Sequence, residues 1–96
     1  AEVENVLYQL PQVAEAAIIG VPDERWGETG KAVVVLKPDQ HLSADDVVGH
    51  CLKNLAKFKV PASVEFIDAL PRNATGKVLK RTLRDQYVDA SQPAIT

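Results

Sequence analysis

The residues with the clearest chemical potential are Gly76 and Lys77, which follow a turn-rich stretch beginning at Pro71. Glycine permits a positive φ and a close approach to another surface. Lysine carries a compact ammonium group on a long, flexible stem. Such a cation can bridge two anions held elsewhere, for example a carboxylate and a phosphate. Taken alone, however, a Gly-Lys pair in a turn is more often an ordinary exposed turn.

A phosphate-binding P-loop is the first alternative for this pair. That motif has a glycine five residues before its Gly-Lys pair and a serine or threonine directly after the lysine. This chain has Pro71 and Val78 at those positions. The sequence therefore excludes a P-loop.

The remaining reactive side chains do not form a second site. Cys51 is the only cysteine, and it falls on the apolar stripe of a predicted helix, which favours a buried structural thiol. His41 and His50 have no suitable partner for catalysis in the sequence. One cysteine and two histidines cannot build a standard structural zinc site, so we expect no metal site in this chain.

Length and composition are those of one small globular domain, with 96 residues, 46% of them hydrophobic and 25% charged. No apolar run approaches the ~20 residues that span a bilayer, and the first residues do not resemble a signal peptide. We therefore expect no membrane span and a cytoplasmic protein. The chain contains no methionine, which indicates a fragment of a longer protein.

The net charge of −2 conceals an uneven distribution. Residues 1–30 carry six acids and one base, whereas residues 72–84 carry no acid and five bases, namely Arg72, Lys77, Lys80, Arg81 and Arg84. Such a basic stretch attracts phosphates, nucleic acid or acidic surfaces, or forms a solvated helix face. Because the stretch is short and the whole chain is acidic, we expect no nucleic-acid partner.

Hydrophobic periodicity predicts helices and strands in the order helix, strand, strand, helix, strand, helix. The predicted segments are helix 2–10, strand 13–21, polar loop 22–27, strand 30–37, a helix capped by Ser43, strand 64–67 and a last helix through Leu79, Leu83 and Tyr87. This order predicts an α+β fold: a small three-stranded sheet with about three helices packed on it, plus a short turn that carries the lysine.

A wider pattern surrounds the glycine-lysine turn. Its landmarks occur in order along the chain: Ala1-Glu-Val-Glu4, Val13-Ala-Glu-Ala-Ala-Ile-Ile-Gly-Val-Pro22, Asp23-Glu-Arg-Trp-Gly-Glu28, Lys57-Phe-Lys-Val-Pro61 and Leu70-Pro-Arg-Asn-Ala-Thr-Gly-Lys-Val-Leu-Lys-Arg81. Together they resemble the C-terminal domain of acyl-CoA synthetases in the adenylate-forming, AMP-binding enzyme superfamily. The form of the last landmark is similar to fatty-acyl or aryl-acid CoA ligases. We expect residues 1–90 to form this mobile domain and residues 91–96 to be a frayed tail.

The resemblance implies an ATP-dependent carboxylic acid:CoA ligase. ATP and the acid form an acyl-adenylate, and CoA then displaces AMP to give a thioester. A large N-terminal adenylation domain, absent from this chain, would bind ATP, Mg2+ and the acid. The C-terminal domain would rotate between the two steps, so the isolated fragment is expected to be inactive.

The resemblance also implies roles for individual residues. Lys77 matches the catalytic lysine of the adenylation step, and Gly76 belongs to the same substrate-facing turn. Trp26 and Phe58 match aromatic positions that line the CoA path in some relatives, where an exposed ring can stack on a purine. On the same face, we expect Lys59 and Lys57 to meet the CoA phosphates. Trp26 fits a side chain that covers the edge of the core equally well.

Some alternatives remain open from the sequence. The same fold serves ligases that load a phosphopantetheinyl carrier protein instead of CoA. A non-catalytic module could use the basic 72–84 stretch for binding. The resemblance also implies that a lysine acetyltransferase acts on Lys77 and removes its charge. Relatives with a well-defined CoA site often carry a base at the position of Val60 or Ala62, and this chain has none there.

Overall fold

The computed structural model describes residues 2–25 and 27–91. The chain forms α1 (Glu2–Tyr8), β1 (Val13–Asp23), β2 (Gly27–Leu36), α2 (Ala44–Asn54), a short 3-10 helix (Lys57–Lys59), β3 (Ser63–Phe66) and α3 (Lys80–Ser91). The strands make one sheet in the order β1-β2-β3, with β1 antiparallel and β3 parallel to β2. The predicted α+β fold is confirmed. The predicted tail lies outside the described residues except for Ser91, which ends α3.

Strands β1 and β2 form a hairpin whose central residues are apolar on both faces. Ala17 pairs with Val33 and Ala16 with Val34, so neighbouring buried residues point to opposite sides of the sheet. The pairing register shifts between Val13 and Glu15. This bulge changes the alternation, which places Val13 in the same buried cluster as Ala16.

Helices cover the sheet on both sides. The first core cluster lies under α1 and α2 and includes Leu7, Val34, Val47 and Cys51. The second lies under the C-terminal segment and contains residues of β1 and β2 together with Leu70 and Leu83. Both faces are therefore closed to water, and α3 occupies the face opposite the other two helices.

Helix α2 begins as the sequence predicted. The Ser43 hydroxyl accepts a hydrogen bond from the Asp46 backbone N–H at 3.0 Å, and the Asp46 carboxylate accepts one from the Ser43 N–H at 3.0 Å. Further along the helix Cys51 is fully buried, and this burial raises the pKa of its thiol. The prediction of a buried structural thiol is confirmed, because a buried protonated thiol is a poor nucleophile.

The segment predicted as a polar loop is instead the end of the hairpin. Strand β1 continues to Asp23 and β2 starts at Gly27, and these two residues pair at the end of the hairpin. The Asp23 carboxylate accepts a hydrogen bond from the Arg25 N–H at 2.8 Å, and Gly27 has a φ of 80°. The hairpin extends beyond the core here, so its residues carry no apolar signature that would mark a strand.

The acidic first part of the chain and the basic 72–84 stretch pair with each other in the fold. Acids from the first 30 residues form ion pairs with bases of the 72–84 stretch: Glu4 with Lys80 at 2.7 Å, Glu28 with Arg84 at 3.2 Å, and Glu15 with Arg72. Among the described residues, the ammonium of Lys77 and the guanidinium of Arg81 have no such partner. The stretch is therefore largely neutralised, which weakens the hypothesis of a basic interaction module.

Glu4 joins three elements, because it lies in α1 and contacts Ile18 of β1 and Lys80 of α3. We therefore expect it to contribute to the stability of the domain. The Glu4 carboxylate accepts hydrogen bonds from the Ile18 N–H at 2.9 Å and from Lys80 at 2.7 Å. Burial tends to raise the pKa of Glu4, but the hydrogen bonds from Lys80 and Ile18 outweigh it and lower the pKa below its ordinary 4.5. The stabilisation is therefore present above pH 4.5 and is lost as the pH falls through the lower folded-state pKa.

We expect Glu4→Gln to reduce the free energy of unfolding by about 1 kcal/mol at neutral pH. The difference from the unmodified chain should shrink below pH 4.5, because protonated Glu4 is also neutral. Urea unfolding at several pH values checks this. Glu24→Gln is the control, since Glu24 is exposed and has no ion pair in the described part of the chain. A difference that stayed constant down to pH 3 would contradict the assignment.

Candidate functional site

The segment that carries the lysine is a closed turn between the sheet and α3. We call residues 71–79 the lysine turn. The Asn73 N–H donates to the Lys77 carbonyl at 3.0 Å, and the Leu79 N–H donates to the Pro71 carbonyl at 2.8 Å. Gly76 has a φ of 87°, a conformation that favours glycine. The turn thus has a defined backbone that presents Lys77 at the surface.

The side chain of Asn73 fills the turn from within. Its Oδ1 atom accepts three hydrogen bonds: from the Thr75 N–H at 3.0 Å, from the Thr75 hydroxyl at 2.7 Å and from the Lys77 N–H at 3.0 Å. Asn73 was not among the site residues predicted from the sequence. The sequence feature that could have identified it is an asparagine three residues before Gly76. Asparagine side chains in turns commonly accept hydrogen bonds from the backbone of the residues that follow them.

Arg72 connects the lysine turn to β1. Its guanidinium donates to the Gly76 carbonyl at 2.6 Å and also pairs with the Glu15 carboxylate. Glu15 follows the bulge, on the face of β1 that α3 covers. One side chain therefore holds both the end of the turn and the edge of the sheet.

The Lys77 side chain is exposed, and its ammonium has no hydrogen bond or ion pair among the described residues. It lines an open hollow of about 690 Å³, the lysine hollow, together with Asn73, Val78, Leu79, Lys80, Arg81 and Thr82. Its neighbour Lys80 is held by Glu4. Lys77 is thus a cation available to an anion brought from outside the chain.

A second hollow of about 570 Å³ lies around Phe58, and we call it the aromatic hollow. Its walls are Glu28, Thr29, Gly30, Lys57, Phe58, Val60 and Ala62. The Phe58 ring is 85% exposed, which is unusual for a phenylalanine without a partner. The Lys59 ammonium lies 5.8 Å from the ring centroid and pairs with Glu2 at 2.6 Å.

The structure therefore brings Phe58 and Lys59 together and leaves Lys77 and Gly76 on the separate lysine turn. The two hollows have no lining residue in common among the described residues. Trp26, the other predicted aromatic, lies outside the described residues. In ranges 2–25 and 27–91, no group of three His, Cys, Asp or Glu side chains could hold a metal ion.

His50 was assigned no chemistry, and in the structure it joins two helices. The His50 Nε2 atom lies 3.1 Å from the Val6 carbonyl and 3.1 Å from the Gln9 side-chain oxygen, so it links α2 to the end of α1. Within the described ranges, no helix combines the length and the apolar character needed to cross a membrane.

Comparison with known proteins decides the family. The profile described as the AMP-binding enzyme C-terminal domain matches residues 2–77, so the match runs from α1 to the lysine of the turn. The chain belongs to this family. The resemblance found in the sequence is thereby confirmed over most of its length.

Similar proteins include ligases that differ in their acyl acceptor. A (methyl-dioxo-octahydro-indenyl)propanoyl:CoA ligase of Rhodococcus jostii is 60% identical over 86 residues, 90% of this chain and 17% of that protein. A fatty acid–acyl-carrier-protein ligase of Streptomyces coeruleorubidus is 53% identical over 87 residues, 91% of this chain and 17% of that protein.

A solved structure shows the same fold. The ATP-bound MatB of Rhodopseudomonas palustris superposes with a TM-score of 0.90 at 41% identity, and the match covers 95% of this chain and 18% of that one. The chain thus spans about one sixth of the length of the relatives it matches. Most of each of these relatives therefore lies outside the segment that matches this chain.

Proposed function

We propose that this chain is the C-terminal domain of an AMP-forming carboxylic acid:CoA ligase, and that Lys77 serves its adenylation step. The observation that carries the proposal is the exposed ammonium of Lys77, which has no partner among the described residues and lies on an ordered turn of a domain of this family. In the first step a carboxylate attacks the α-phosphate of ATP and pyrophosphate leaves. In the second step the CoA thiolate attacks the acyl carbon and AMP leaves.

Lys77 contributes to the first step by electrostatics. Negative charge builds on the phosphoryl oxygens and on the departing pyrophosphate, so a positioned cation stabilises the transition state more than the ground state. The positive φ of Gly76 lets the turn approach bound substrate without a side chain in the way. The lysine needs an open surface for this role, and the lysine hollow provides one.

The second step uses the aromatic hollow. The exposed Phe58 ring offers a flat apolar surface to the adenine of CoA, and Lys57 and Lys59 lie beside it as partners for its phosphates. Lys59 would exchange Glu2 for a phosphate at little cost, because exposed ion pairs contribute little stability. Trp26, which the resemblance assigns to the CoA path, is proposed to contribute to this face.

The separation of the two hollows supports a mobile domain. Since Lys77 and Phe58 line different surfaces, one fixed orientation against an N-terminal adenylation domain does not serve both steps. We propose that residues 1–90 rotate between two orientations. ATP, the carboxylic acid and Mg2+ would be held by the N-terminal domain, in the cytoplasm, where a fatty or aromatic acid would be activated.

The role of Lys77 is tested in the full-length ligase that contains this chain. Lys77→Ala should lower acid-dependent pyrophosphate exchange by about 100-fold to 1000-fold, the effect of losing one transition-state partner. Thioester formation from supplied acyl-adenylate should stay within about twofold, because that step does not use the lysine. Lys53→Ala is the matched control, since Lys53 is an exposed lysine of α2. Adenylation at the unmodified rate would refute the assignment.

The aromatic hollow is tested by Phe58→Ala in the same enzyme. We expect the KM for CoA to rise about tenfold through the loss of stacking, while pyrophosphate exchange stays unchanged. Leu52→Ala is the control, since Leu52 is an apolar side chain of α2 that is 52% exposed. The same assays with a phosphopantetheinyl carrier protein identify the acceptor. An unchanged KM for CoA would remove Phe58 from the CoA site, and preference for the carrier would assign the enzyme to carrier loading.

We also propose that acetylation of Lys77 regulates the enzyme, and the exposure of its side chain supports this. Its ammonium is accessible, and acetylation would remove the charge that the adenylation step requires. We expect a fraction of the protein from its native cells to carry one acetyl group on Lys77, detected by peptide mass spectrometry. Enzymatic deacetylation should restore pyrophosphate exchange, and the untreated sample serves as control. Absence of acetyl-Lys77 under every growth condition would contradict the proposal.

A further inference from the structure

The hydrogen bonds of Asn73 are concentrated on the segment that ends at Lys77. A single side-chain oxygen accepts from the Thr75 N–H, the Thr75 hydroxyl and the Lys77 N–H, at 2.7–3.0 Å. The Asn73 backbone adds a fourth bond, from its N–H to the Lys77 carbonyl at 3.0 Å. Both backbone groups of Lys77 are therefore held by one residue.

The hydrogen bonds of the Asn73 side chain join residues that lie outside the hydrophobic core. Asn73, Thr75 and Lys77 are exposed, and none of them belongs to either core cluster. Removal of the Asn73 side chain therefore leaves the packing of the domain intact. What it removes is three of the hydrogen bonds that order the turn, so the segment from Thr75 to Lys77 would sample more conformations although the backbone hydrogen bonds of the turn remain.

Precise placement of this backbone matters because the lysine stem is itself flexible. A lysine side chain has four rotatable bonds, so an additional movement of its Cα atom greatly widens the volume that the ammonium explores. A displacement of about 1 Å at a catalytic group can lower a rate by about 100-fold. A turn that fixes the Lys77 Cα atom therefore restricts the ammonium to a smaller volume than a mobile turn does.

We propose that Asn73 is a positioning residue for the adenylation step, acting through the backbone of Lys77. The proposal rests on the proposed function of Lys77 and deepens it. Arg72 complements Asn73 by attaching the turn to the sheet. Its guanidinium donates to the Gly76 carbonyl and pairs with Glu15, which lies on β1. Asn73 thus sets the shape of the turn, and Arg72 sets its place on the sheet.

The test compares three substitutions in the full-length ligase. Asn73→Ala removes the acceptor and should lower the kcat of adenylation about 10-fold to 100-fold, with the KM for ATP nearly unchanged. Asn73→Asp keeps an acceptor oxygen at the same position and should recover most of the loss. Asn54→Ala is the matched control, since the Asn54 amide only donates to the His50 carbonyl within α2.

Two measurements separate positioning from a loss of structure. Thioester formation from supplied acyl-adenylate and the melting temperature should be the same for Asn73→Ala and the unmodified enzyme. In a Lys77→Ala background, Asn73→Ala should cause no further loss of adenylation, because the residue acts only through the lysine. An equal additional loss in that background would overturn the proposal.

The outcome also separates this inference from the proposed function. If Lys77→Ala keeps its adenylation rate, the role of Lys77 is wrong and the positioning role fails with it. If Lys77→Ala loses adenylation but Asn73→Ala does not, only the positioning role is overturned. A parallel loss of both half-reactions in Asn73→Ala would show a structural role and would also refute the inference.

Discussion

Burial of both faces of the β1–β2 hairpin is the constraint on which the rest of the domain depends. Val33 and Val34 are neighbours in the chain and both are fully buried, so each side of the sheet must be covered by another element. Helices α1 and α2 cover one side. The other side is left for the C-terminal segment, which is the segment that carries the lysine.

This arrangement explains how a turn with an exposed tip is held in a defined place. Leu70 and Leu83 are buried in the same cluster on either side of the lysine turn, so its two ends are fixed by the core. Between them the chain has few apolar contacts and relies on polar ones. Asn73 orders the turn, and Arg72 joins it to Glu15 on β1.

The extent to which the sequence predicts this domain depends on the range of each interaction. Periodic apolar residues and the Ser43 cap are local signals, and the order of elements and the burial of Cys51 followed from them. The pairing of Glu15 with Arg72 joins residues 57 positions apart, so no local pattern contains it. Lys77 and Phe58 were found through the family resemblance, whereas their separation on two hollows required the folded chain.

The ion pairs give the lysine its distinct electrostatic character. Of the bases in the 72–84 stretch, Arg72, Lys80 and Arg84 are neutralised by acids from the first part of the chain. A domain that presented all of these charges would bind anions non-specifically and in many orientations. Because most are paired, Lys77 stands out on the lysine turn as a cation without an internal partner in the described part of the chain. The turn, rather than a broad positive field, then sets the direction of Lys77, and this suits its proposed role in the adenylation step.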